Sequence, residues 1–96
     1  MPLFLVERSY AYDLELTAED VAGIKAINDA AGARWVSSFL SADKRKTYCL
    51  FEAPSEAAIL EAVRMGSPPV DAIIPVDEIQ PEAVAAGAPL PGPDRP

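Results

Sequence analysis

The chain has no histidine, a single cysteine (Cys49) and few basic residues, with eight Lys and Arg against fifteen Asp and Glu for a net charge of −7. Without histidine it lacks the commonest transition-metal ligand and the side chain that most often acts as general base near neutral pH. One cysteine cannot close an intramolecular disulfide, which suits a reducing compartment. Nucleic acid is excluded as a partner, because phosphate binding needs a basic surface and the only basic cluster is the short run Lys44, Arg45, Lys46. No apolar run approaches the ~20 residues of a membrane span, so no membrane partner is expected. The opening residues Met1 to Arg8 lack the basic segment and cleavage site of a secretory signal, so a cytoplasmic protein is expected. There is no Gly-rich phosphate loop, no CxxC and no serine nucleophile motif, and no cofactor or bound metal is expected. Asp77 and Glu78 are adjacent on a strand and point to opposite faces, so they do not form a carboxylate pair.

What is present is organised around Trp35 to Pro54. Two runs rich in aromatic and β-branched residues flank Ser41 to Lys46, and an Ala-Pro-Ser break follows, the pattern of a β-hairpin leading into a helix. Before it, Leu3 to Val6 are apolar on both faces of a strand over Pro2 to Arg8, which reads as central in its sheet. Thr17 and Asp20 have the spacing of a capping box, and Leu16 and Val21 that of a hydrophobic staple. Val21, Ile24, Ile27 and Ala31 then mark a helix that Gly32 ends in a left-handed conformation. Strands are predicted near Arg34 to Ser41 and Lys46 to Ala53. A second helix capped by Ser55 buries Ala58, Ile59, Ala62 and Val63 and stops at Gly66 and Pro68. A last strand runs from Ala72 to Ile79, and Pro75 places it at a sheet edge or turns that amide position away from its neighbour. Residues 81–96 are dominated by Pro, Ala and Gly and read as a disordered or extended tail behind a domain of residues 1–80.

Strand, helix, strand, strand, helix, strand is the ferredoxin-like βαββαβ order, an α+β fold with a four-stranded antiparallel sheet and both helices on one face. The uncovered face would show Leu3, Leu5 and Phe51 to water, a patch that a second copy would cover. The expectation is a homodimer packed sheet to sheet, a dimeric α+β barrel with a small cavity between the sheets.

Met1 to Arg8, then Ser38-Phe39 with Asp43, the segment Lys46 to Pro54, and Val70 to Pro81 resemble the small bacterial nickel-binding-protein-like domains of otherwise unknown function. Tyr48 to Pro54 is the most specific part, and the resemblance covers residues 1–81. It implies a ferredoxin-like homodimer and, in some members, a divalent metal held by histidines and carboxylates. This chain departs from that pattern. Glu7 stands where metal-binding relatives have a histidine before Arg8, Leu5 replaces an acidic residue, and the histidines of the second helix and final strand are missing. Metal binding is therefore not carried over.

A register placing Leu3 opposite Ala53 would bring Glu7 beside Cys49 on the inter-sheet face. Glu7 is the candidate acid or base, and Leu5, Glu7, Arg8, Trp35, Phe39, Cys49 and Phe51 are the candidate ligand-binding residues. Trp35 and Phe39 fall on one face of their strand. Arg8 would bind an anionic ligand or pair with an acid, and in a chain of net −7 pairing is the expected fate. Two functions follow. One is a homodimeric module binding a small molecule, or weakly a divalent cation through Glu7. The alternative is a cofactorless isomerase, cyclase or monooxygenase acting on a small apolar or aromatic metabolite.

Overall fold

A computed structural model describes residues 1–91. The elements are β1 (Leu3–Ser9), α1 (Ala18–Ala30), β2 (Arg34–Leu40), β3 (Lys46–Glu52), α2 (Glu56–Arg64), β4 (Ala72–Val76) and a short α3 (Pro81–Ala85). The four strands form one antiparallel sheet in the order β2-β3-β1-β4, so the fold is α+β and ferredoxin-like, with the doubly apolar β1 in the interior and β4, which carries Pro75, at an edge.

Local chemistry sets the boundaries. The Thr17 hydroxyl accepts from the Asp20 amide and the Asp20 carboxylate accepts from the Thr17 amide, both at 3.0 Å, completing the capping box of α1. Gly32 (φ 83°) and Gly66 (φ 120°) turn the chain out of α1 and α2 in the region that side chains avoid. Ser55 occupies the N-cap position of α2 but its side chain makes no capping bond, contrary to the sequence expectation. Pro81 starts α3, where its missing amide proton costs nothing, so a turn of helix stands in the stretch read as an extended tail. Residues 92–96 of that tail lie outside the described residues.

The β1 to β3 register differs by one residue from the expected one: Leu3 faces Glu52, Val6 faces Cys49 and Glu7 faces Tyr48. Strand side chains alternate, so a single step exchanges the faces. Phe4, Val6, Cys49 and Phe51 lie beneath the helices and form the core with Ala33, Ala53 and Ile59. Phe51 is fully buried there rather than on the uncovered face, and Cys49 sits on the opposite face from Glu7. A register shift between Trp35 and Ser37 makes a second exchange. It leaves Trp35 packed against the core and turns Phe39 outward, 64% exposed, so these two residues do not share a face.

The hairpin tip is held by its own polar groups. Asp43 accepts from the Ser41 hydroxyl and the Arg45 amide, which hold its carboxyl below the ordinary range, and Lys44 takes a positive φ of 63°. The β1–α1 connection docks on this tip. Tyr10 and Leu14 donate their amides to the Arg45 and Lys44 carbonyls at 2.9 and 2.7 Å, and Arg45 pairs with Asp13 at 3.1 Å.

The capping box yields a stability test. Thr17→Ala should cost about 1 kcal/mol in urea unfolding, with an unchanged slope, because α1 loses one satisfied amide. The bond from the Thr17 amide holds the Asp20 carboxyl below its ordinary 3.8. Its contribution is therefore fully present above that pH and is lost as pH falls through the lower folded value. Asp20→Asn should make the acid limb of the stability curve shallower.

Candidate functional site

Of the two helices, α2 seals its part of the sheet with Ile59 and Ala62 fully buried. α1 does not. Its only buried residue is Asn28, while Ile24 and Ile27 are half-buried and Val21 is exposed. The space left beneath α1 is a cavity of about 180 Å³. Leu14 and Leu16 from the docked connection, Ile24 from α1, and Trp35 and Leu40 from β2 give it apolar walls. Leu16 and Leu40 are partly exposed and stand where the cavity meets solvent.

One end is polar. Arg8 is 4% exposed, and its guanidinium lies at this end between the sheet and the α2–β4 loop. Nε donates to the Pro68 carbonyl at 3.2 Å, Nη1 to Cys49 Sγ at 3.3 Å and Nη2 to Ser67 Oγ at 3.4 Å, with the Phe51 ring centroid 5.7 Å from the guanidinium carbon. Thr47 Oγ1 and the Tyr10 hydroxyl share a hydrogen bond at 3.0 Å beside it. Asn28 also lines the cavity. Its Nδ2 donates to the Ile24 carbonyl at 3.0 Å, which fixes the amide and leaves the buried Oδ1 without a partner.

Arg8 was expected to pair with an acid, and among the described residues it does not. The ion pairs among the described residues belong to Lys25, Arg34, Arg45, Lys46 and Arg64. Leaving a buried charge unpaired costs several kcal/mol, and the contacts to neutral oxygens at 3.2 and 3.4 Å are long for charge-assisted bonds, which run near 2.8 Å.

The sequence candidates therefore divide between the two faces of the sheet. Arg8, Trp35 and Cys49 come together around the cavity, with Phe51 packed under Arg8. Leu5, Glu7 and Phe39 lie on the other face. There Glu7 Oε1 meets Lys46 Nζ at 3.1 Å, and that bond raises the lysine above its ordinary value. Glu52, on the same face, pairs with Arg34. In the β1–α1 connection Tyr12 points into solvent, whereas Tyr10 lines the cavity. Sequence reasoning missed Asn28, Leu14, Leu16 and Leu40. Asn28 follows Ile24 by four residues and so continues the apolar stripe of α1, which is the signal that marks it as inward-facing.

A family model described as "Nickel responsive protein SCO4226-like" matches residues 4–76. The crystal structure of SCO4226 from Streptomyces coelicolor A3(2) is similar to this chain with a TM-score of 0.59 at 18% sequence identity, covering 81% of this chain and 99% of that one. At that identity the likeness bears on the fold. No curated protein matches the chain.

The orphaned acceptor gives a prediction that runs against intuition for a polar-to-apolar change. A buried unsatisfied acceptor costs about 1 kcal/mol or more, and leucine has nearly the shape of asparagine. Asn28→Leu should therefore raise the unfolding free energy of the free protein by about 1 kcal/mol, read from urea or thermal denaturation.

Proposed function

The chain belongs to the SCO4226-like family of nickel responsive proteins, and we propose that this member is a small ligand-binding protein that takes an organic molecule into the cavity between its sheet and α1. The observation that carries this reading is the cavity itself: about 180 Å³, apolar along its walls and reached past Leu16 and Leu40. Such a site suits a largely apolar, ring-sized molecule, since an apolar cavity of ~150 Å³ accommodates benzene.

The donors present do not fit nickel. Nickel favours imidazole and thiolate or a converging set of nitrogen and oxygen ligands. This chain has no imidazole, Cys49 is buried against a guanidinium, and no group of three or more Cys, Asp or Glu among the described residues could hold a metal. Glu7 supports neither weak cation binding nor acid–base catalysis, because it is tied to Lys46 and faces away from the cavity.

The proposal includes a homodimer formed through the outer face of the sheet. Leu3, Leu5, Leu50, Ile74 and Phe39 lie there, half-buried or exposed, and neither helix covers them. The Glu7–Lys46 and Arg34–Glu52 pairs flank these residues with balanced charge, so two copies can meet without like-charge repulsion. The ligand site then belongs to each subunit, on the helix side, and the dimer is a matter of assembly.

Two measurements test this. Trp35 is the only tryptophan and lines the cavity, so its fluorescence reports occupancy. Cyclohexanol should perturb that fluorescence saturably, and Ile24→Phe, which fills the cavity, should weaken the effect at least tenfold. A wild-type protein silent to cyclohexanol that takes up one nickel per subunit would overturn the reading. Separately, the protein should sediment as a dimer at micromolar concentration and Leu5→Arg as a monomer with an unchanged circular dichroism spectrum. A wild-type monomer would remove the dimer and leave the cavity untouched.

A further inference from the structure

Arg8, Tyr10, Asn28, Trp35, Ser38 and Thr47 all border the cavity, yet its surface is almost wholly apolar. We propose that this pairing-off of polar groups is a specificity device. The cavity admits an uncharged, hydrocarbon-like molecule, a single ring with at most a methyl-sized substituent, and rejects molecules of the same shape that bring a hydroxyl or a carboxylate. The hydrogen bond between Tyr10 and Thr47 is the element that withholds the Thr47 hydroxyl from an occupant. This rests on the reading of the cavity as the ligand site and adds the ligand's class.

The polar side chains on the wall are committed to other protein groups. The Trp35 indole N–H donates to Ser38 Oγ at 2.7 Å, and the Tyr10 hydroxyl shares a bond with Thr47 Oγ1 at 3.0 Å. Arg8 spends Nε, Nη1 and Nη2 on the Pro68 carbonyl, Cys49 Sγ and Ser67 Oγ. Asn28 Nδ2 donates to the Ile24 carbonyl, and its Oδ1, though without a partner, is buried too completely for an occupant to touch. A molecule in the cavity therefore meets the side-chain carbons of Leu14, Leu16, Ile24 and Leu40 beside the Trp35 ring.

Water satisfies the hydrogen bonds of a free hydroxyl, and a wall without free partners does not replace them, so a buried hydroxyl binds about tenfold or more weakly than a methyl group in its place. A carboxylate loses more, because it gives up the hydration of a full charge while the Arg8 nitrogens are already taken. Size sets the other bound: about 180 Å³ holds one ring with a short substituent, since ~150 Å³ holds benzene. Of the committed pairs, Tyr10 and Thr47 can be separated most gently. Thr47 is buried in the sheet, whereas Tyr10 is half-buried in the β1–α1 connection. Removing the Tyr10 hydroxyl alone leaves Thr47 Oγ1 with only the 3.6 Å contact to Cys49 Sγ, and so opens one hydrogen-bonding partner beside the cavity.

The test uses the full chain and three probes of nearly one shape: toluene, phenol and benzoate. Trp35 fluorescence, excited at the red edge of the tryptophan band where none of them absorbs, follows each titration, with calorimetry as a check. Toluene should bind at least tenfold tighter than phenol, and benzoate more weakly than phenol. Ile24→Phe should weaken toluene at least tenfold, which assigns the signal to this cavity. Tyr10→Phe should narrow the toluene-to-phenol ratio at least threefold by raising the affinity for phenol while that for toluene stays the same. Should Tyr10→Phe fail to fold, the wild-type ratio decides the matter alone. Phenol binding as tightly as toluene, or benzoate more tightly than either, would overturn the hydrocarbon proposal and leave the cavity reading standing. A ratio unaltered in a folded Tyr10→Phe variant would overturn the role given to the Tyr10–Thr47 bond. Silence to all three probes and to cyclohexanol would remove the cavity reading as well.

Discussion

The pairing of Val6 with Cys49 puts Phe4, Val6 and Arg8 on the same side of the sheet as Thr47, Cys49 and Phe51, and the position of every other group in the site follows from that alignment. Packing fixes it. Phe51 and Val6 are fully buried against Ile59 of α2, and exposing a core side chain of this size costs about 2 kcal/mol. A slip of one residue would turn at least one of the paired strands over and break up that cluster. Arg8 is carried inward by the same alternation. The guanidinium is buried because its strand neighbours two and four residues earlier, Val6 and Phe4, belong to the core, and the α2–β4 loop closes over it through Pro68 and Ser67.

The two helices cover the sheet unequally, and the inequality makes the cavity. α2 brings Ile59 and Ala62 into direct contact with the core. α1 turns an asparagine inward where an isoleucine would have closed the gap, and its connection from β1 is held instead by the hairpin tip, through Tyr10, Leu14 and Asp13. Three costs therefore coincide in one corner: an empty volume, an orphaned amide oxygen and a cation without a counterion among the described residues. Each could be removed by a single apolar substitution. Local rules are broken together at this one place while the rest of the fold keeps them, which singles it out as the candidate site.

Much of the architecture was legible because the residues that set it act locally. The Thr17–Asp20 box, the glycines after both helices and the proline in β4 each have a short-range mechanism, and the order of elements leads to the ferredoxin-like sheet. The assignment of faces was not legible. Leu3 and Leu5 are as apolar as Phe4 and Val6, so the alternation in β1 does not say which set is inside, and the decision rests on partners distant in sequence. Glu52 in β3 was the available clue: a carboxylate on one face argues that Phe51 and Cys49 take the other. The bulge near Val36 has no glycine or proline to announce it, and it separates Phe39 from Trp35. Arg8 escaped for a different reason. Net charge predicts that an arginine will find an acid, but only geometry shows that the acids went to Lys46, Arg34 and Arg45 instead.

The family description and the present site can both hold because they concern opposite faces of the sheet. Positions 5 and 7, where the resemblance places metal donors in other members, lie on the outer face, and here they are a leucine and a glutamate paired with lysine. Replacing donors on that face changes its polarity without touching Phe4, Val6 or Arg8, because side chains of one strand alternate between sides. The cavity under α1 is thus insulated from the loss of metal ligands. A chain without histidine can keep the family's backbone, place leucines on its outer face, and retain on the inner face a pocket walled by Leu14, Ile24, Trp35 and Leu40.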